Sequence, residues 1–198
     1  MIHVYVKEID GLWCGVAYDG EKVFATNFGS RKESTLNGLL TSIPEDVHFQ
    51  QVEKPSGFAE QVVQTIRRIY DGKDASTDFS LNIEHLPKYT AKVLKTALMV
   101  PTGYVTSYGE IAKAAGGGAR AVGTVMASNP FAPIVPCHRV VCSDMTLGGY
   151  GGGLSLKLAL LKREARGYRS GKEVPVDGRK LLVFPVEAVL NKLLKTHA

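Results

Sequence analysis

The spacing of apolar residues in this chain changes partway along, and that change limits the possible fold more than any single motif. In residues 2–9, 12–19 and 22–28 apolar and polar side chains alternate, and the runs are joined by Asp10-Gly11 and Asp19-Gly20. A period of two suits strands buried on one face, and Asp-Gly suits tight hairpins, so an antiparallel meander is expected. From Gly57 to Tyr70 the period becomes helical: Phe58, Val62, Ile66 and Ile69 would lie on one stripe, covering one face of that sheet. The polar run Gly72–Asp78 then interrupts the pattern, and beyond it helical spacing dominates. These patterns predict a small α/β domain over 1–84, antiparallel sheet plus helix. A mainly helical domain over 85–168 and a tail over 169–198 ending in a helix are expected to follow.

Within the second region Pro87 can open a helix reaching Met99, with Val93, Leu94, Ala97 and Leu98 on one side. Ser107-Tyr108-Gly109-Glu110 has the spacing of a capping box and predicts a helix through Ala115. Gly116–Gly118 breaks the chain, and Ala119–Ser128 is helical again, so the pair reads as a helix-turn-helix. The second of these helices has Val122, Val125 and Met126 on one side and Arg120, Gly123, Thr124 and Ala127 on the other. Apart from the arginine that outer face is small, which suits close packing on a neighbouring helix or entry into a minor groove about 6 Å wide. The Gly-rich run Leu147–Leu154 matches neither a dinucleotide fingerprint nor a P-loop. It reads as a connector or as backbone that approaches a flat ligand. A helix from Ser155 to Arg166 follows, and Val186, Val189, Leu190, Leu193 and Leu194 mark another near the end.

Composition removes several classes of protein. No run of about 18 apolar residues could span a bilayer, and the first eight residues lack the pattern of a secretion signal. Three cysteines make a poor disulfide framework and suit a reducing, cytoplasmic setting without a membrane partner. Cys137 and Cys142 have only His138 nearby as a further ligand, so no metal and no cofactor is expected. The net charge is +5, and residues 157–180 hold eight basic against three acidic residues, an excess as large as that of the whole chain. Such a cluster reads either as a solvated helix face or as phosphate contacts.

The chemistry gathers at Pro136-Cys137-His138-Arg139-Val140-Val141, where a thiol stands beside an imidazole in an otherwise apolar run stiffened by Pro130, Pro133 and Pro136. A cysteine reacts as thiolate, so it needs a base or a positive neighbour, and His138 is the candidate base. Were the segment extended, adjacent side chains would point to opposite faces, and a bridging water would have to connect thiol and imidazole. Glu164, on the following helix, is the candidate that orients the imidazole. A cysteine in an apolar run is more often simply buried, and Cys142 is expected to be of that kind.

The order Val100-Pro101-x-Gly103, Ser107–Ala112, Ala119–Gly123, Asn129-Pro130, Pro136–Val140 and Gly148-Gly149-Tyr150 resembles the O6-alkylguanine-DNA alkyltransferases over roughly residues 87–167. The resemblance implies direct reversal of DNA damage. Cys137 would accept the alkyl group irreversibly, once per chain, with His138 as water-mediated base and Glu164 orienting it. It also implies that Asn129 is a hinge between recognition helix and active-site segment, and that Arg120 fills the stack vacated by a flipped guanine. Tyr108 would help rotate the nucleotide and donate to the base, while Val140, the Tyr150 loop and Ser143 would line or edge the guanine pocket. The implied partner is double-stranded DNA containing O6-alkylguanine, with O4-alkylthymine a further candidate, bound by a monomer.

Gly151 stands where many members carry a hydroxyl residue, and Ala127 where some carry a basic one, so the grip on DNA would rest on Arg120, Arg139 and the basic region after them. Three other readings compete. A non-repairing sensor of alkylated bases would lack the acceptor cysteine, a helix-turn-helix regulator would bind promoters, and a redox or hydrolytic cysteine enzyme would turn over many times.

Overall fold

The computed structural model describes residues 1–196, and by its internal contacts the chain divides into two compact units. The first comprises residues 1–70, 74–85 and 130–134, and the second 71–73, 86–129 and the chain from 135 onward. The last two positions of the expected tail, 197 and 198, lie outside the described residues.

In the first unit β1 (Ile2–Ile9), β2 (Leu12–Asp19) and β3 (Lys22–Gly29) form the expected antiparallel meander. Its first turn needs positive φ at both central residues, met by Asp10 at 47° and Gly11 at 77°. The short β4 (Phe49–Gln51) and β5 (Ser80–Leu81) add parallel pairs at the edges, giving the order β4-β1-β2-β3-β5. Helix α2 (Gly57–Tyr70) buries Val62, Val63, Ile66 and Ile69, and its Glu60 takes Lys7 and Tyr5 from β1.

The opposite face is covered as well, by α1 (Lys32–Leu40), a helix that sequence reading did not find. Its Leu39 packs with Ile2, Val4, Ala17, Ala25 and Ile43. A Cβ on Gly15 would lie 2.6 Å from the Leu39 Cδ1 methyl, so a larger residue here would make that leucine shift. Residues 130–134 also belong here. Thr26 of β3 donates its amide to Pro130 and its hydroxyl to Ala132, and Phe131 between them is fully buried.

The second unit contains α3 (Lys88–Leu98), α4 (Tyr108–Ala115), α5 (Ala119–Ala127), α6 (Leu154–Glu164) and α7 (Val186–Thr196). It also holds a four-stranded sheet that the helical spacing did not announce. β6 (Tyr104–Ser107) lies between β7 (Val140–Val141) and β9 (Arg179–Pro185), with β8 (Lys172–Val176) at the edge. The expected helical tail is therefore a hairpin plus a helix. It is part of the second unit: β9 pairs with β6, and Val186 and Val189 join Val105, Val141 and Leu161 in one core. The strands escaped notice because β6 and β7 are four and two residues long, too short for a period to show.

Candidate active site

Helix α6 builds the floor of the site from an unusual stripe. Lys157, Leu160, Leu161 and Glu164 fall at i, i+3, i+4 and i+7 and are the buried residues of this helix, so two charged side chains face inward with two leucines between them. A buried charge must be paired or hydrogen-bonded, and each end of the stripe meets that demand differently.

At the Glu164 end the carboxylate is held from two sides. His138 Nε2 lies 2.8 Å from Oε1, and Arg139 donates through Nε to Oε2 at 2.9 Å and through Nη2 to Oε1 at 2.9 Å. The remaining reach of Arg139 goes to the Val100 carbonyl at 2.7 Å and the Thr102 hydroxyl at 3.0 Å. Arg139 is thus 8% exposed and committed to the protein interior, which corrects the expectation that it helps to grip DNA. Burial alone would raise the Glu164 carboxyl, but His138 and Arg139 beside it hold it down to about 2. Burial pulls His138 below its ordinary value against the upward pull of Glu164, so the resting imidazole is neutral. With Glu164 an ionised acceptor, the proton sits on Nε2 and Nδ1 carries the free lone pair. Nδ1 is buried and has no hydrogen-bond partner in the protein.

Cys137 opens a 3-10 turn, Cys137–Arg139, so the extended case, with Cys137 and His138 on opposite faces, does not arise. Its amide donates to Val135 and that of Arg139 to Pro136, closing two tight turns after the proline-rich run. Asn129 donates Nδ2 to the Val135 carbonyl at 2.9 Å and hydrogen-bonds the Cys137 thiol as well. Burial pushes the Cys137 thiol up, while the Asn129 hydrogen bond and the charge of Lys157 act to lower it. The thiol forms part of the wall of a cavity of about 560 Å³, a volume within the range of small-molecule sites.

The same cavity is lined by Tyr108, Arg120, Gly123, Met126, Cys142 and the run Gly148–Gly151. Tyr108 stands at the start of α4, where Ser107 caps the helix by accepting the Glu110 amide at 3.1 Å. The reciprocal half of the capping box is replaced by an ion pair of Glu110 with Lys113. The Tyr108 hydroxyl reaches the Gly149 carbonyl at 3.4 Å. On α5, Val122, Val125 and Met126 are buried, Arg120, Thr124 and Ala127 are exposed, and open space lies beside Gly123, as the two-faced spacing requires.

The expected residues are therefore distributed unevenly. The fold brings Cys137, Tyr108, Arg120 and Tyr150 to one cavity, with Asn129 hydrogen-bonded to the thiol and His138 and Glu164 joined in the protein interior beside it. Val140 is fully buried and presents its carbonyl to Lys157, and Ser143 is exposed; neither is among the lining residues. Lys157 was overlooked. It counted as one of a basic cluster read either as a solvated face or as phosphate contacts, yet it has no exposed surface. Its position at i−7 from Glu164, on the leucine stripe, was the signal that it points inward. Among the described residues no group of three His, Cys, Asp or Glu side chains could hold a metal ion, and no helix is long and apolar enough to cross a membrane.

Comparison with known proteins places this geometry in context. Residues 88–166 match the family model described as the DNA-binding domain of 6-O-methylguanine DNA methyltransferase. A methylated-DNA--protein-cysteine methyltransferase of Methanocaldococcus jannaschii is 32% identical over 162 residues, covering 80% of this chain and 92% of that protein. A protein of the same name from Mycobacterium leprae is 45% identical over 91 residues, 44% of this chain and 55% of its own length. Among solved structures, the Mycobacterium tuberculosis OGT in complex with DNA superposes with a TM-score of 0.64 at 30% identity, covering 82% of this chain and 92% of that one. The O6-methylguanine-DNA methyltransferase of Pyrococcus kodakaraensis gives 0.63 at 28% identity, covering 83% and 99%.

Proposed function

Since this chain belongs to the methylated-DNA--protein-cysteine methyltransferase family, we propose that it repairs O6-alkylguanine in duplex DNA by moving the alkyl group onto Cys137. The observation that carries the assignment is the placement of the Cys137 thiol at a cavity with a hydrogen-bonded His138–Glu164–Arg139 set beside it.

Each residue then has a defined task. His138 Nδ1, the bare lone pair, takes the Cys137 proton through an intervening water while Glu164 stabilises the imidazolium that forms. The thiolate attacks the alkyl carbon in line, a C–S bond forms as the C–O6 bond breaks, and the electron pair leaves with the base. The base gains one proton, so the net transfer is of alkyl to sulfur and of the thiol proton to guanine, with the Tyr108 hydroxyl placed as donor to the base. The product is a thioether, which has no route back to thiol, so each chain acts once. A mass spectrum after incubation with O6-methylguanine duplex should show a gain of about 14 Da on the Cys137 peptide. A gain on another residue, or many repaired bases per chain, would remove this reading.

The alkyl group on O6 is shielded inside the stack, so the nucleotide must be turned out before sulfur can reach it. We place α4, the Gly116–Gly118 turn and α5 as a helix-turn-helix whose small outer face enters the minor groove, with Arg120 filling the vacated stack. Arg120 is exposed and lines the same cavity as Cys137, which supports that role. Arg120→Ala should slow transfer from duplex DNA roughly tenfold or more, because flipping costs a few kcal/mol that the arginine offsets. Transfer from free O6-benzylguanine, which needs no flipping, should change little. Equal slowing of both reactions would contradict the role.

A further inference from the structure

The β8–β9 hairpin lies beyond residues 88–166, the stretch that matches the family model, and the alkyl-transfer scheme above does not use it. Its turn end reaches back to α4. Arg179, the first residue of β9, donates Nη1 to the Lys113 carbonyl at 3.0 Å and to the Ala114 carbonyl at 3.4 Å. Both carbonyls belong to the last turn of α4, where backbone acceptors have no partner within the helix and where the helix dipole favours a cation.

This end of α4 leads into a turn that cannot fix itself. Gly116, Gly117 and Gly118 carry no side chains, and the first two hold φ at 92° and 78°. Gly118 is the N-cap of α5 and gives that helix no side-chain cap. The turn is therefore held from outside. From α3, Tyr89 donates its hydroxyl to the Gly116 carbonyl at 3.1 Å, and the same hydroxyl would lie 2.5 Å from a Cβ on Gly117. From β9, Arg179 holds the carbonyls just before the turn. Helix α5 packs through Val122, Val125 and Met126, but Arg120 stands exposed in its first turn, two residues after Gly118.

We propose that Arg179 is a positioning residue for repair of duplex DNA: by clamping the C-terminal end of α4 it fixes the Gly116–Gly118 turn and so sets where Arg120 meets the duplex. The inference rests on the helix-turn-helix reading with Arg120 in the vacated stack. Its guanidinium is engaged by the helix end, which takes Arg179 out of the basic cluster that reads as phosphate contacts.

The test measures single-turnover transfer from O6-methylguanine duplex, below saturation, and from free O6-benzylguanine. The variants are Arg179→Ala, Arg120→Ala and the two combined. Arg179→Ala should slow duplex transfer about fivefold, the worth of one cation at a helix end, and leave the free-base rate unchanged. In the combined variant the duplex rate should equal that of Arg120→Ala alone, because the brace has nothing to place once that arginine is gone. Additive losses in the combined variant, equal slowing of both substrates by Arg179→Ala, or a duplex rate that Arg179→Ala leaves unmoved would each overturn the brace. Arg120→Ala by itself separates the two readings. Equal slowing of duplex and free base by that variant defeats the stack-filling role on which the brace stands, whereas a duplex-only loss there, with Arg179→Ala unmoved, defeats the brace alone.

Discussion

Cys137→Ala protein should bind alkylated duplex DNA and transfer nothing. The proposed acceptor sits on the turn after Pro136, whereas the exposed face of α5 with Arg120, proposed to meet DNA, belongs to a different element, so removing sulfur should leave that face intact. The substitution removes one small, 7% exposed group at a cavity wall. Transfer of a labelled methyl group should fall to background, while a gel-shift titration stays close to that of unmutated protein. Cys142 lines the same cavity and makes the comparison informative. Cys142→Ala should transfer nearly normally. If the Cys142 variant were dead and the Cys137 variant active, the acceptor would be the wrong one of two neighbouring thiols.

Glu164→Gln should damage both rate and stability, because one carboxylate serves two cations. The amide cannot stabilise an imidazolium, so His138 becomes a weaker base. Transfer should slow about 100-fold, a loss within the range of general base catalysis. The rate should also recover only at higher pH than in unmutated protein. For stability, the buried Arg139 loses its counter-charge, a change that typically costs about 3 kcal/mol or more. The pH dependence has a definite sign. The Glu164 carboxyl is held at about 2 in the folded chain, below its ordinary 4.5, so its stabilisation is complete above about 4.5 and is lost as pH falls through about 2. The melting-temperature gap between unmutated and Gln protein should therefore be widest near neutral pH and narrow on acidification. A gap that stayed constant down to about pH 2 would mean that Glu164 carries no charge-dependent stabilisation.

How much of this was legible beforehand depends on what each element obeys. The meander could be read because alternation and Asp-Gly turns are local, and α2 because its apolar stripe is strong. Helix α1 could not, because Asn37 and Gly38 interrupt its apolar pattern and its Leu39 is buried against residues of strands distant in sequence. The β8–β9 hairpin was taken for a featureless tail preceding a helix, since its alternation is broken by Pro175 and by charged residues on its exposed edge. At the site, Cys137, His138, Arg120 and Tyr108 were marked by their motifs, and Glu164 by its place on the following helix.

The sequence by itself determined which chemistry is available: a thiol with an adjacent imidazole, a small-faced helix bearing one arginine, and a Gly-rich wall, all matters of residue type and short spacing. Only the tertiary structure decided how the charged residues are used. Lys157 stands in a basic stretch that reads as a solvated face or as phosphate contacts, and Arg139 beside Cys137 reads as a contact to DNA. Folding withdraws both, and Glu164 with them, from water, and each must then find compensation: Glu164 from His138 and Arg139, Lys157 from two carbonyls and two rings. The partners come from β7, from the turn at Cys137 and from the loop before α6, brought together by packing that no local pattern records. Charge type is written along the chain, whereas desolvation, which sets what a charge does, exists only once the core has closed.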